Sequence, residues 1–124
     1  YAIAAKQAHP HAQVFAIMGD GTAGFHLPEF ETAVRENLPF IAVIGNDERW
    51  NAEHLIQERS FGADRQFACG LSPARYDQAV EALGGFGAYV TDAAQLEDAL
   101  TVAINSGLPA CINVALTGLP APTF

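Results

Sequence analysis

The sequence predicts an α/β fold in which helices cover both faces of a parallel β-sheet. Residues 13–18, 40–45 and 109–115 are short, nearly continuous apolar runs, as expected for strands buried on both faces. Segments with apolar residues at helical spacing lie between these runs. Strands that alternate with helices form parallel sheets with right-handed crossovers. The architecture is therefore expected to be flavodoxin-like or Rossmann-like.

The first half of the chain supplies two of these strands. Residues 2–6 are typical of the middle of an amphipathic helix with no capping residue before it, so we expect a domain over residues 1–124 that is incomplete at its N-terminus. The first strand, 13–18, ends at Gly-Asp-Gly. Pro28 is a favourable first residue for a helix that ends at 37–39. The second strand, 40–45, ends at Asn-Asp.

The second half repeats the alternation with weaker signals. A helix over 48–58 carries many polar groups, and a loop is predicted over 60–72. A helix over 74–83 ends at two glycines and is followed by a short strand at 88–90. Asp92 is a suitable cap for a helix over 93–105, and 109–115 forms the last strand.

Composition excludes several function classes. The net charge is -8 and the six basic residues are scattered, whereas nucleic-acid binding requires a clustered basic surface. No apolar run approaches the roughly 20 residues that span a bilayer, so we expect no membrane association and a cytoplasmic location. Cys69 and Cys111 lack metal-site spacing and are expected to be reduced, buried thiols. Only 16% of residues are charged, which indicates large buried interfaces.

Two polar residues directly follow the first two strands, where a metal site is expected. Asp20 follows the first strand and Asn46 the second, and the carboxyl ends of parallel strands face one crevice. Mg²⁺ is commonly bound by one or two carboxylates together with phosphates and water. An amide at Asn46 supplies an oxygen without adding charge, and a backbone carbonyl just beyond it does the same. Asp47 is more typical of a helix cap than of a ligand.

The spacing of these residues resembles that of thiamine-diphosphate-dependent enzymes. Gly19-Asp20-Gly21, twenty-four further residues and Asn46-Asp47 are similar to the motif of the C-terminal cofactor-binding domain in that family. The resemblance extends to the helix at 29–35 and the strand at 109–114. It implies that Asp20, Asn46 and the Glu48 carbonyl bind Mg²⁺. The cofactor-binding residues that it implies for thiamine diphosphate are Gly19, Asp20, Gly21, Thr22 and Asn46.

The segment after Asn46 resembles the acetolactate-synthase and benzaldehyde-lyase branch of this family. The resemblance places Trp50, Ala52 and Ile56 at the substrate pocket and implies a carboligase or lyase acting on 2-keto acids or aldehydes. It also implies a homo-oligomer in which the catalytic glutamate lies in a pyrimidine-binding domain, normally of a neighbouring subunit. We therefore expect no catalytic residue in this chain, which alone would be inactive.

Two alternatives remain open at the level of sequence. Within the family, the chain could belong to a 2-keto acid decarboxylase of the benzoylformate or indolepyruvate type. Outside it, a non-catalytic flavodoxin-like module with a magnesium site fits the alternating pattern, although Lys6 is the only lysine and phospho-receiver modules need one near the strand ends. His26 and His54 are candidate acid or base groups, but surface or structural histidines are the more common case.

Overall fold

A computed structural model describes residues 1–118 as a four-stranded parallel sheet with strand order β1-β2-β4-β3. The strands are β1 (Phe15–Gly19), β2 (Ile41–Asn46), β3 (Phe86–Val90) and β4 (Ala110–Ala115). The α-helices are α1 (Ala2–Ala8), α2 (Asp20–His26), α3 (Glu29–Arg35), α4 (Asn51–Phe61), α5 (Tyr76–Ala82) and α6 (Leu96–Ser106). Short 3₁₀ turns occupy Ala63–Arg65 and Ala93–Gln95.

The sheet buries apolar side chains on both faces. Ala42, Ile44 and Cys111 form one core with side chains of α3 and α5, namely Phe30, Ala33, Tyr76 and Val80. Ile41, Ala110 and Ile112 form the other core with Ala103 of α6. Successive strand residues point to opposite faces, which explains why continuous apolar runs form these strands. The prediction of a parallel sheet with helices on both faces is confirmed.

Local predictions differ from the structure mainly at element boundaries. The strand predicted at 88–90 is longer, Phe86–Val90. The helix predicted to begin at Pro28 and to end at 37–39 is shorter, Glu29–Arg35. The helix after Asp92 begins as a 3₁₀ turn, and the Asp92 carboxylate accepts a hydrogen bond from the Ala94 amide as a cap should. The segment 60–72 is not all loop, because α4 continues to Phe61 and a 3₁₀ turn follows.

The sequence reading missed α2, which starts directly at Asp20. Gly-Asp-Gly is typical of a turn, and Gly21 has low intrinsic helix propensity. Tertiary packing stabilises this helix, since Ala23 is buried in the core that contains Phe30 and Ile44. Asp20 therefore lies in the first turn of a helix rather than in an open loop.

A glycine allows α5 to pack directly on β3. A Cβ atom built at Gly87 would lie 2.4 Å from the backbone oxygen of Asp77, closer than real Cβ contacts allow. Because Gly87 has no side chain, the first turn of α5 can approach the sheet at this point. This approach brings Asp77 close to the residues of β4.

Three further expectations can be compared with the fold. Cys69 and Cys111 are both buried free thiols, as expected. No helix within residues 1–118 is long and apolar enough to cross a membrane. Large apolar side chains are exposed on the chain, including Ile17, Phe25 and Phe67 at 83%, 70% and 81% of their surface.

Candidate magnesium and cofactor site

Asp20 is a buried carboxylate at the junction of β1 and α2. Its side chain is almost completely buried, with 2% of the residue exposed. One carboxylate oxygen accepts a hydrogen bond from the Gly21 amide at 2.9 Å and the other from the Arg49 amide at 3.2 Å. Burial raises the pKa of Asp20 above its usual range despite the hydrogen bond from Gly21, and the nearby Asp47 carboxylate raises it further.

The charge of Asp20 has no cationic side chain beside it in the part of the chain that the structure describes. The ion pairs there join Arg35 to Glu31 and Glu36, and Arg75 to Asp77. A buried ionised carboxylate without a cation is costly. A divalent cation would supply the missing positive charge, so the environment of Asp20 fits a metal ligand.

Asn46 lies beside Asp20 at the same edge of the sheet. Gly19 of β1 pairs with Gly45 of β2, and the next residues are Asp20, the first residue of α2, and Asn46, the last residue of β2. The side-chain oxygen of Asn46 accepts a hydrogen bond from the Glu48 amide at 3.2 Å. Because the adjacent Arg49 amide binds Asp20, one short loop contacts both side chains. The structure thus brings the two residues together.

Glu48 adopts a backbone conformation that is uncommon for a residue with a side chain. Its φ angle is +59°, in the left-handed region. Its carbonyl oxygen accepts a hydrogen bond from the Leu71 amide at 2.7 Å. A carbonyl oxygen has two lone pairs, so this bond leaves one acceptor direction free for a metal.

The ring of Trp50 lies directly over Gly21. A Cβ atom at Gly21 would lie 2.7 Å from the Trp50 ring, so the contact requires glycine. Trp50 also packs against Phe25, with 5.3 Å between ring centroids. Gly21 is buried, whereas Gly19 and Thr22 are exposed at the same end of α2. Four of the five predicted cofactor-binding residues, Gly19 to Thr22, thus lie in one continuous segment at the carboxyl end of β1, and the fifth, Asn46, lies at the end of β2.

The other predicted pocket residues lie on α4, which begins just after Trp50. Ala52 is exposed, and Ile56 is 60% exposed. His54 is half-buried on the same helix and hydrogen-bonds the Gln66 side chain at 3.0 Å. His54 and Gln66 line a cleft of about 260 Å³ together with Glu48. His26, in contrast, is exposed at the end of α2.

A buried polar network that the sequence reading missed lies behind Asn46. Asn113 of β4 is fully buried and Asp77 of α5 is 3% exposed, and Asn113 links Asn46 to Asp77. Arg75 forms two hydrogen bonds with Asp77, at 3.0 and 2.6 Å. Burial alone would raise the pKa of Asp77, but the bonds from Arg75 and Asn113 outweigh it, so the pKa lies below its usual range. In the sequence, the sign of this network is Asn113, an amide residue inside an otherwise apolar strand.

Comparison with known proteins identifies the family. Residues 1–114 match the family model described as "Thiamine pyrophosphate enzyme, C-terminal TPP binding domain". The chain therefore belongs to the thiamine pyrophosphate enzyme family and corresponds to its C-terminal cofactor-binding domain. The resemblance inferred from Gly19-Asp20-Gly21 and Asn46 is confirmed at this level.

Two named relatives show which enzymes of this family the chain is similar to in sequence. The chain is 44% identical over 115 residues to a "Probable acetolactate synthase" of Mycobacterium bovis, covering 92% of this chain and 21% of the relative. It is 40% identical over 87 residues to "2-hydroxyacyl-CoA lyase 2" of Bos taurus, covering 70% and 13%. The chain thus spans about a fifth or less of these relatives.

A solved structure shares the fold. The thiamine diphosphate-dependent 4-hydroxybenzoylformate decarboxylase of Rhodococcus jostii superimposes with a TM-score of 0.85 over 94% of this chain and 22% of that one. The two sequences are 22% identical, so this likeness concerns the fold.

Proposed function

We propose that this domain binds thiamine diphosphate through a Mg²⁺ ion held by Asp20, Asn46 and the Glu48 carbonyl. The observation that carries the proposal is the buried Asp20 carboxylate, which has no cationic side chain beside it in residues 1–118. Consecutive amides of one loop bind it and the Asn46 oxygen, from Arg49 and Glu48 respectively. One charged and two neutral oxygens suit Mg²⁺ that also binds the phosphates of its ligand. Membership of the family supports the same ligand.

Each residue has a separate part in this arrangement. Asp20 supplies the one negative charge, and Asn46 supplies a neutral oxygen from the neighbouring strand. Glu48, two residues after Asn46, turns its backbone in the left-handed conformation. Gly19, Gly21 and Thr22 form the segment against which the diphosphate would lie. The Gly21 contact with Trp50 fixes that segment against the start of α4.

We further propose that the whole protein is an acetolactate-synthase-like carboligase or lyase acting on 2-keto acids or aldehydes. The 44% identity with the mycobacterial relative supports this assignment. When bound, thiamine diphosphate supplies the carbon nucleophile that adds to a carbonyl group. This domain positions the cofactor through its diphosphate, and Trp50, Ala52 and Ile56 border the substrate.

The proposed assembly is a cytoplasmic homo-oligomer in which a pyrimidine-binding domain of a neighbouring subunit completes the site. Exposed Ile17, Phe25, Ile56 and Phe67 offer apolar surface for such contacts. The catalytic acid-base group would then come from that domain. None of the residues at the Asp20 site is assigned such a role.

Product analysis of the intact gene product tests the proposed activity. The protein is incubated with pyruvate, with and without an acceptor aldehyde, in the presence of thiamine diphosphate and Mg²⁺. A hydroxyketone or acetolactate supports the carboligase, and an aldehyde alone supports a decarboxylase. A 2-hydroxyacyl-CoA is the second substrate to test, because a 2-hydroxyacyl-CoA lyase is 40% identical. No product from any of these substrates would contradict the proposal.

A further inference from the structure

The buried network behind Asn46 forms an uninterrupted hydrogen-bond path from the surface to the proposed metal site. Arg75 binds Asp77, the Asn113 amide nitrogen donates to Asp77 at 3.0 Å, and the Asn46 amide nitrogen donates to the Asn113 oxygen at 3.2 Å. The Ala74 carbonyl accepts from both amide nitrogens, at 3.0 and 3.2 Å. Within the described residues, no buried side-chain polar atom lacks a partner.

The chemistry of this path fixes the direction of every bond. An ionised carboxylate and a backbone carbonyl can only accept hydrogen bonds. The Asn113 amide must therefore turn its nitrogen towards Asp77 and Ala74, and its oxygen towards Asn46. Asn46 must then turn its nitrogen inward, which leaves its oxygen at the edge of the sheet, where it accepts from the Glu48 amide. A flipped Asn46 would present its NH₂ group, which cannot bind a cation.

The position of Asn113 is hard to explain by packing alone. It lies between Ile112 and Val114 on a central strand and is fully buried. Aliphatic residues are the usual occupants of such positions, because a buried amide is costly without partners. Gly87 allows α5 close enough to β3 to bring Asp77 within reach of this amide. Arg75 is held in turn over the Tyr89 ring, 4.2 Å from its centroid.

We infer that Asp77 and Asn113 are positioning residues that orient the Asn46 carboxamide so that its oxygen faces the Mg²⁺ ion, with Arg75 pairing to Asp77. This inference rests on the proposed function, because it requires Asn46 to be a metal ligand. Residues that orient metal ligands commonly change metal affinity 10–100-fold when replaced. The substitution Asp77→Asn removes the ionised acceptor and leaves the Ala74 carbonyl as the remaining group of this network that can only accept. The Asn113 amide, and through it the Asn46 amide, is then held less firmly in its orientation.

The test is a double-mutant cycle on the intact gene product, read as the Mg²⁺ concentration that half-saturates thiamine diphosphate binding by calorimetry. We expect Asp77→Asn to raise that concentration about 10–100-fold. In an Asn46→Ala background the same change should have no further effect, because the residue through which Asp77 acts is gone. Asp98→Asn, the same chemical change at an exposed position of α6, is the matched control and should match the parent.

The outcomes separate the inference from the proposed function. Asn46→Ala with an unchanged Mg²⁺ requirement would overturn the metal assignment. If Asn46→Ala raises the requirement while Asp77→Asn does not, only the inference fails. Equal effects of Asp77→Asn in both backgrounds would show a general structural role and overturn the inference too.

Should Asp77→Asn not fold, Arg75→Gln replaces it, since the Arg75 side chain is 42% exposed. A several-fold rise that vanishes in the Asn46→Ala background supports the inference, and no rise refutes it.

Discussion

Replacing Asp20 by asparagine should separate metal binding from stability. The residue is almost fully buried, and its two oxygens accept hydrogen bonds from backbone amides, among them those of Gly21 and Arg49. Burial raises the pKa of the Asp20 carboxyl in the folded protein. Without a metal, the fold is therefore less stable with Asp20 ionised than with Asp20 protonated. Asparagine has similar size and no charge.

The expected magnitudes follow from these contacts. An asparagine oxygen keeps one of the two amide bonds, and losing the other costs about 1 kcal/mol. Removal of the buried charge acts in the opposite direction, so the metal-free variant should be within about 1 kcal/mol of the parent. Cofactor with Mg²⁺ at about 100 times its Kd adds about 2.7 kcal/mol to the parent and raises its melting temperature. The variant should gain almost nothing.

The assay is thermal unfolding of the intact gene product with and without Mg²⁺ and thiamine diphosphate. Asp98→Asn removes the same charge from the exposed face of α6 and should keep the full shift. A parental shift in Asp20→Asn would refute the assignment of Asp20 as a metal ligand. Loss of several kcal/mol in the metal-free variant would instead show that the carboxylate mainly holds the fold together.

Three other predictions follow from the packing and the ionisation of buried groups. Gly87→Ala places a Cβ atom 2.4 Å from the backbone oxygen of Asp77 and should lower the free energy of unfolding, measured with denaturant, by about 1–3 kcal/mol. Gly24→Ala, whose Cβ atom meets nothing within 4 Å, is the control and should not lower it; equal stability of the two variants would contradict the packing of α5 on β3. Burial raises the pKa of Cys111 to about 12, so iodoacetamide at neutral pH should modify this thiol only after denaturation. Modification of Cys111 in the native protein, detected by mass spectrometry, would contradict this prediction. Because the pKa of Asp77 is lowered in the folded protein, ionised Asp77 stabilises the fold at pH values above the ordinary pKa of 3.8, and this stabilisation is lost as pH falls through the lowered pKa. The difference in melting temperature between the parent and Asp77→Asn should therefore shrink in acid, and a constant difference would argue against an ionised Asp77.

The sequence predicted the sheet well because the pattern that forms it is local. Apolar runs at 13–18, 40–45 and 109–115 correspond to β1, β2 and β4 within two residues. The helix at Asp20 was missed because glycines on both sides of it favour a turn, and the packing of Ala23 into the core outweighs that preference.

The proposed metal ligands could be identified from sequence, whereas their supporting network could not. Asp20 and Asn46 each follow a strand, and parallel pairing makes such ends meet. Asn113 and Asp77 are 67 and 31 positions from Asn46 along the chain, and only the folded structure joins them. The close approach of α5 to β3 at Gly87 depends on backbone geometry that the pattern of apolar residues does not encode.

The central claim is that this domain holds thiamine diphosphate through Mg²⁺ at Asp20 and Asn46. Calorimetric titration of thiamine diphosphate into the intact gene product, with Mg²⁺ and with a chelator, tests it most directly. The account predicts binding that requires Mg²⁺ and disappears in Asp20→Asn. Binding of equal affinity with and without the metal, or no binding to a folded protein, would contradict it.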